Sequence, residues 1–321
     1  MDTSSPTTGI SVVAPVTPAF DRMKEVLFRP FDLGRWLAIG FCAFLAKLGE
    51  AGGGGGGGAN FGDSKKPEWA NFNETWSEGV RFLNDNLIWI IPSVVGVVLL
   101  VVTLLVLVLW LSSRGRFMFL DNVATNRAEV IRPWQEFAGP ANSLFRFRLM
   151  LMVLGGFLMV LGLGVGFAGA FPMLRQSEIN AIGLGVVGSA VGFMLVLGLF
   201  LVVVAKLTQD LVVPVMWLRR CDWRTGWSQI GGLLRSYPGV FFLYLVFQLL
   251  LALAVGILVI VVVLLTCCMA GCLLAIPYLG TVFLLPVLVF FRAYSAYFLA
   301  QFGPQFDTFR GGSASAAPVG P

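Results

Sequence analysis

Four stretches of this chain hold no charged side chain, and their lengths decide what it can fold into. Leu87–Ser113, Leu149–Leu174 and Ile179–Ala205 contain no Asp, Glu, Lys or Arg, and Ser236–Phe291 contains none over 56 residues. A helix rises about 1.5 Å per residue and needs about 20 apolar residues to cross a hydrocarbon core of about 30 Å. The first three stretches suit one crossing each, and the last suits two. Hydrophobic residues make up 57% of the chain and charged residues 12%, against about 45–50% and about 25% in an average soluble domain. A water-soluble fold of this length has too little interior to hide that surface, whereas lipid accepts it as solvent.

A further crossing is expected at about residues 33–49, where Trp36–Ala46 is charge-free and bounded by Arg35 and Lys47. Both side chains can snorkel to opposite interfaces; a re-entrant segment is the alternative for so short a run. The others are expected at about 87–111, 149–171, 182–206, 239–265 and 273–302. The fold class is therefore all-α: a polytopic transmembrane helical bundle of about six spans. Residues 1–18 and 303–321 read as disordered tails flanking a membrane domain at 19–302. Residues 1–18 lack an apolar h-region, so the first membrane helix is expected to act as the insertion signal.

Basic residues alternate between connections. Residues 112–148 and 206–238 hold eleven Lys and Arg together, whereas 50–86, 172–181 and 266–272 hold four. The positive-inside rule then places both termini and the two basic connections in the cytoplasm, and the Gly-rich loop 50–86 outside. That loop opens with seven glycines, Gly52–Gly58. It lacks the Gly-Lys-Ser/Thr ending that a phosphate-binding loop needs for its lysine and its magnesium hydroxyl.

Three amphipathic patterns lie on the expected cytoplasmic side. Phe20, Met23 and Leu27 share one face. Trp134, Phe137, Ala141 and Leu144 repeat that spacing, as do Trp227, Ile230, Leu234 and Tyr237. Each set precedes a membrane helix by about ten residues. The pattern is that of interfacial helices lying on the bilayer, and it reads either as three repeats of one unit or as generic amphipathicity. Gly139-Pro140 interrupts the second set.

The chain has no histidine. That excludes Ser-His-Asp and Cys-His catalysis, a His relay, a His-ligated haem and the usual zinc sites. Cys267, Cys268 and Cys272 crowd one turn; they read as small packing residues, with a disulfide as the alternative in an oxidising compartment. No catalytic, metal or cofactor site is expected.

Ionisable residues near spans are the remaining functional candidates. Lys206 and Asp210 are four apart on one helix face, and Arg292 lies toward the same end of the sixth span. Together they form a polar cluster suited to an anionic headgroup or an ion, or else a structural ion pair. Asp121 and Arg116 lie beyond the second span. Pro277 and Pro286 should kink the sixth helix, whose Tyr278, Thr281 and Tyr294 could line a pathway.

Three segments carry a family resemblance: Leu27-Phe-Arg-Pro-Phe-Asp-Leu-Gly-Arg-Trp36, Arg114-Gly-Arg-Phe-Met-Phe-Leu-Asp121, and Pro277-Tyr-Leu-Gly-Thr281 through Gln301-Phe-Gly-Pro304. They resemble a set of uncharacterised prokaryotic integral membrane proteins and, more distantly, the membrane domain attached to some glycerophosphodiester phosphodiesterases. The resemblance implies a six-helix membrane fold over about residues 19–310 and brings no site residue. The chain lacks the soluble phosphodiesterase domain and its carboxylate cluster.

The expectation is a non-enzymatic integral protein of the bacterial cytoplasmic membrane. Its partners are membrane lipids, anionic headgroups above all, or another protein, and not nucleic acid. A small transporter using the kinked sixth helix is the alternative; an intramembrane enzyme comes third.

Overall fold

The computed structural model describes residues 9–48, 87–176, 181–266, 271, 274 and 276–309. The Gly-rich loop 50–86, the three clustered cysteines and residues 1–8 and 310–321 of the expected tails lie outside these residues. In order, the helices are α1 (Val16–Phe28), α2 (Leu33–Leu48), α3 (Leu87–Thr125), α4 (Ile131–Glu136), α5 (Ala138–Gln176) and α6 (Ala181–Leu207). A π-helical turn (Thr208–Val212) leads into α7 (Val213–Arg219), then α8 (Trp223–Ser236), α9 (Pro238–Leu265), α10 (Pro277–Phe283) and α11 (Leu285–Ala300). No β-strand occurs among the described residues.

Each long helix is divided into two physical regimes. Along α3 the side chains from Ile88 to Leu107 are mostly exposed, and burial begins at Leu109. Twenty residues at about 1.5 Å each measure about 30 Å, the thickness of a hydrocarbon core. Beyond them Ser112, Ser113, Phe117, Met118 and Asn122 have no exposed surface at all. The same division falls near Leu149 in α5, near Leu207 in α6 and within α9 after Gln248. The protein is thus a compact helical base carrying apolar arms. Among the described residues, Ile88–Thr125, Ala138–Pro172, Ala181–Arg219 and Pro238–Leu265 are long and apolar enough to cross a membrane. The pair α10–α11 adds a fifth candidate if taken as one span, bent by 62°.

Helix continues through segments that the charge pattern marks as connections. Residues 112–125 carry Arg114, Arg116 and Asp121, yet they form the last turns of α3 and part of the core. Close packing explains this. Gly115 lies against the backbone of α2, where an added Cβ would sit 2.5 Å from the Ala46 nitrogen. The adjacent Ser112 hydroxyl donates to the Ala46 carbonyl at 2.8 Å. At the other end of α2, Arg35 donates to the Asn126 carbonyl and side-chain oxygens, both at 2.9 Å. The 16 residues of α2 therefore run along the base portion of α3, not along its arm. Of residues 33–49, expected as the first crossing, 33–48 are helical, 16 residues against the about 20 of a usual span.

The three amphipathic patterns are helical, but their apolar stripes face protein. Met23, Val26 and Leu27 of α1, Phe137 between α4 and α5, Ala141 and Leu144 of α5, and Ile230 of α8 all belong to the buried core. Trp134 packs edge-on against Trp110, and Trp227 lies tilted against Phe147. Phe20, by contrast, is 48% exposed. Apolar faces expected to rest on lipid instead find each other, because the neighbouring helix ends supply an interior. The interruption at Gly139-Pro140 is reflected in the break at Phe137, between α4 and α5.

The arms of α5 and α6 pack antiparallel on one another through small residues. Gly162 faces Met194, Gly166 faces Ala190, and Gly169 sits where a Cβ would approach Val186 Cγ1 to 2.6 Å. Close backbone approach of this kind is how helices associate where lipid removes any hydrophobic drive. The two ends of the described chain meet on the base. Ser11 N donates to Gln301 Oε1 and Gln301 Nε2 donates to the Ser11 carbonyl, both at 2.9 Å.

Candidate functional site

The π-helical turn ends the arm of α6 and begins its buried continuation. Thr208, Asp210, Leu211 and Val212 are all buried; an α-helix at an interface would divide such a run between inside and outside. Single π turns inside α-helices often coincide with functional sites. Here the turn holds Asp210, 5% exposed, at the junction of base and arms.

Asp210 anchors a chain of polar contacts across two helices. Lys206 Nζ lies 3.0 Å from Asp210 Oδ2. The same oxygen accepts the Tyr244 hydroxyl from α9 at 3.2 Å, and Gln248 Nε2 donates to the Tyr244 oxygen at 3.0 Å. Arg292 of α11 donates from Nη1 to the carbonyl of Gln209, the residue before Asp210. The Tyr244 ring stacks on Tyr294, centroids 5.8 Å apart, and Tyr294 donates its hydroxyl to the Val12 carbonyl at 2.8 Å. Two helices therefore touch the buried carboxylate, and α11 and the Val12 backbone close around them.

The electrostatic logic is that of a paired interior charge. Burying an isolated carboxylate is costly, and an ammonium partner with hydrogen bonds offsets that cost. Lys206 can fill the role because its side chain is 42% exposed while that of Asp210 is 7% exposed. Inward from Lys206 the chain ends at Gln248, whose buried Oε1 has no hydrogen-bond partner among the described residues.

The sequence candidates are distributed as follows. Lys206 and Asp210 meet directly, and Arg292 reaches the backbone one residue away. Tyr294, considered for a pathway, joins this cluster by stacking on Tyr244. Tyr278 is apart from it, donating to the Leu37 carbonyl at 3.1 Å, and the Thr281 hydroxyl donates to the Pro277 carbonyl of its own helix at 2.8 Å. Pro277 and Pro286 open α10 and α11, and the bend falls between these helices, at Leu284. Tyr244 and Gln248 were not singled out by sequence reasoning. Their signal is two hydrogen-bonding residues four apart on one face of a long charge-free run.

Asp121 forms a second polar site, at the far end of the base, where it accepts the Trp217 Nε1 hydrogen at 3.1 Å. It borders a cavity of about 200 Å³ shared with Arg127, Arg132, Glu136 and Arg220. Among the described residues no group of three or more His, Cys, Asp or Glu is placed to hold a metal ion.

Comparison with known proteins bears on the whole chain more than on either site. Residues 10–285 match a family of unknown function, DUF7544. The chain belongs to that family. The matched residues run from the start of the base through the four long helices to the beginning of α11, so the base and its arms are both included in the DUF7544 domain. No curated protein and no solved structure matches the chain.

Proposed function

We propose that the protein is a non-enzymatic integral membrane protein of the scaffold or partner-binding kind, its arms held in the bilayer and its base displayed on the cytoplasmic side. The observation that carries this reading is the sharp division of each long helix into an exposed apolar arm and a buried base. The charge-free stretches supply the arms, and the basic connections 112–148 and 206–238 supply much of the base. The base is closely packed: stacked aromatics such as Tyr244 on Phe298, centroids 4.3 Å apart, fill its middle. The Ser11–Gln301 pair supports placing both ends of the described chain on the base side; because α3 enters the base from its arm and α9 leaves the base into its arm, that requires two crossings besides the four long arms. That is the six-crossing arrangement expected from the charge pattern, with the bent α10–α11 pair in one of the two further crossings. Anionic headgroups are the natural neighbours of so basic a face.

The test is accessibility. Cysteines substituted at Ser228 and Ser236, both exposed on α8, should resist a membrane-impermeant maleimide in intact cells and react once the membrane is opened. Reaction in intact cells would overturn the orientation, and a monodisperse protein without detergent would overturn the membrane reading.

A transporter is the second reading, favoured by the bend at Leu284 and by the polar chain from Lys206 to Gln248. Asp210→Asn would then abolish substrate flux in reconstituted vesicles at a temperature where the variant is still folded.

A further inference from the structure

The cavity beside Asp121 brings three guanidinium groups together from three parts of the base. Arg127 follows α3, Arg132 lies on α4, and Arg220 caps α7. Two carboxylates face them. Glu136 divides its oxygens, one 3.4 Å from Arg132 Nε and the other bonded by Arg220 Nη2. Asp121 is already engaged by the Trp217 indole. Arg127 makes no ion pair among the described residues. The lining thus carries an excess of positive charge, and a single carboxylate, Glu136, spans two of its three cations.

Backbone geometry singles out the same place. The non-glycine residues with left-handed backbone are Asn126, φ 57°, and Arg220, φ 49°, among those described. One immediately precedes Arg127 and the other is itself a cavity arginine. Left-handed conformation is strained for a residue like Arg, and strain of this kind tends to collect at ligand-binding positions. At Arg220 it coincides with a guanidinium set over the Phe137 ring, 5.0 Å from the centroid, and turned to Glu136.

Arginine forks match the geometry of phosphate oxygens, which they bind in pairs of parallel hydrogen bonds. The cavity, about 200 Å³, is smaller than the about 300–1,000 Å³ of pockets that enclose whole ligands. It suits one anionic group. We propose that this cavity is a binding site for a phosphate-class oxyanion, a phosphomonoester or phosphodiester group, with Glu136 as the internal occupant that the ligand displaces. Along α3, Asp121 lies about 20 Å beyond Leu107, where the exposed arm ends. A dissolved phosphorylated molecule reaches the cavity from water; a lipid headgroup reaches it only if this face of the base folds toward the bilayer. The site does not depend on which side of the membrane the base occupies, so its test and the accessibility test fail separately.

The experiment titrates the full chain in a phosphate-free maltoside detergent with inorganic phosphate and pyrophosphate, against sodium chloride of equal ionic strength. Thermal unfolding and calorimetry are the readouts. We expect a saturable rise in unfolding temperature at millimolar anion. Arg127→Gln, which breaks no ion pair, should weaken binding about tenfold by removing one charged donor. Glu136→Gln, which removes the competing carboxylate, should tighten it about threefold. No saturable response to either anion would overturn the proposal, as would equal affinities in wild type, Arg127→Gln and Glu136→Gln. A second arm uses phosphatidylcholine vesicles with and without phosphatidate. Suppression of the phosphate response by phosphatidate identifies lipid headgroups as the source of the ligand, and an unchanged response identifies dissolved phosphate compounds.

Discussion

Ser112 of α3 donates its hydroxyl hydrogen to the carbonyl of Ala46 at 2.8 Å, and Gly115, one turn on, lies against the same stretch of α2. This contact fixes α2 beside the base. A β-branched side chain at 115 would collide with backbone atoms of Leu45 and Ala46, which cannot rotate away. We expect Gly115→Val to destabilise the protein by about 1–3 kcal/mol or more, seen as a lower thermal unfolding midpoint in detergent. Gly96, in the arm with nothing within 4 Å, is the control; Gly96→Ala should be neutral or slightly stabilising.

The polar chain at the junction should behave as one unit. Tyr244→Phe leaves the Gln248 amide and the Asp210 carboxylate each short of a buried partner, at a cost of about 1–3 kcal/mol. Asp210→Asn disturbs the same contacts. A double-mutant cycle between the two should give a coupling energy of about 0.5–3 kcal/mol. Additive effects within error would show that the contacts do not act together.

Arg114 lies against two indoles at once, its guanidinium carbon 4.7 Å from the centroids of both the Trp110 and Trp134 rings, which meet each other edge-on. A planar, weakly hydrated cation suits that slot better than an ammonium. Arg114→Lys should cost about 0.5–2 kcal/mol and shift the tryptophan emission spectrum, whereas an unaltered spectrum and stability would remove this cation–π contact from the account of the fold.

The described cysteines should differ in reactivity. Cys42 is fully buried against α3, with Asn122 Nδ2 donating toward its sulfur at 3.3 Å. Cys221, on the base between α7 and α8, is half-buried, and burial pushes its thiol above the ordinary range. A raised pKa means less thiolate at any given pH, so alkylation slows and its pH profile moves upward. With Cys267, Cys268 and Cys272 changed to Ser, native protein should react with iodoacetamide at Cys221 alone, more slowly than after unfolding. Rapid labelling of Cys42 in the native state would contradict the packing of α2 on α3.

Much of the architecture is legible in the chain because lipid imposes a length rule. The runs beginning at Leu87, Leu149, Ile179 and Ser236 each contribute an arm, since nothing but hydrocarbon accommodates so many consecutive apolar side chains. The kink near Pro277 and Pro286 is legible for a similar reason: proline removes a donor wherever it falls. The fate of the basic connections was not legible. Arg114, Arg116 and Asp121 look like a solvated link, yet α3 continues through them because Gly115 admits α2 and because tryptophans pack on Arg114 and hydrogen-bond to Asp121. The apolar stripes of α1 and α8 carried no mark to say whether lipid or protein would cover them.

At the sites, the i,i+4 spacing of Lys206 and Asp210 announced their pairing, since helix geometry alone brings such residues together. Tyr244 and Gln248 joined them through contacts made 34 and 38 positions beyond Asp210 in the chain. The arginine cavity is more distant still from any local pattern, because Arg220 meets Glu136 across 84 positions. Hydrophobic length and charge order are properties of the chain read in one direction, and they determined which segments face hydrocarbon. Which helix ends gather into a base, and which charges then share an interior, depends on side chains far apart in sequence fitting one another, and only the tertiary structure decided it.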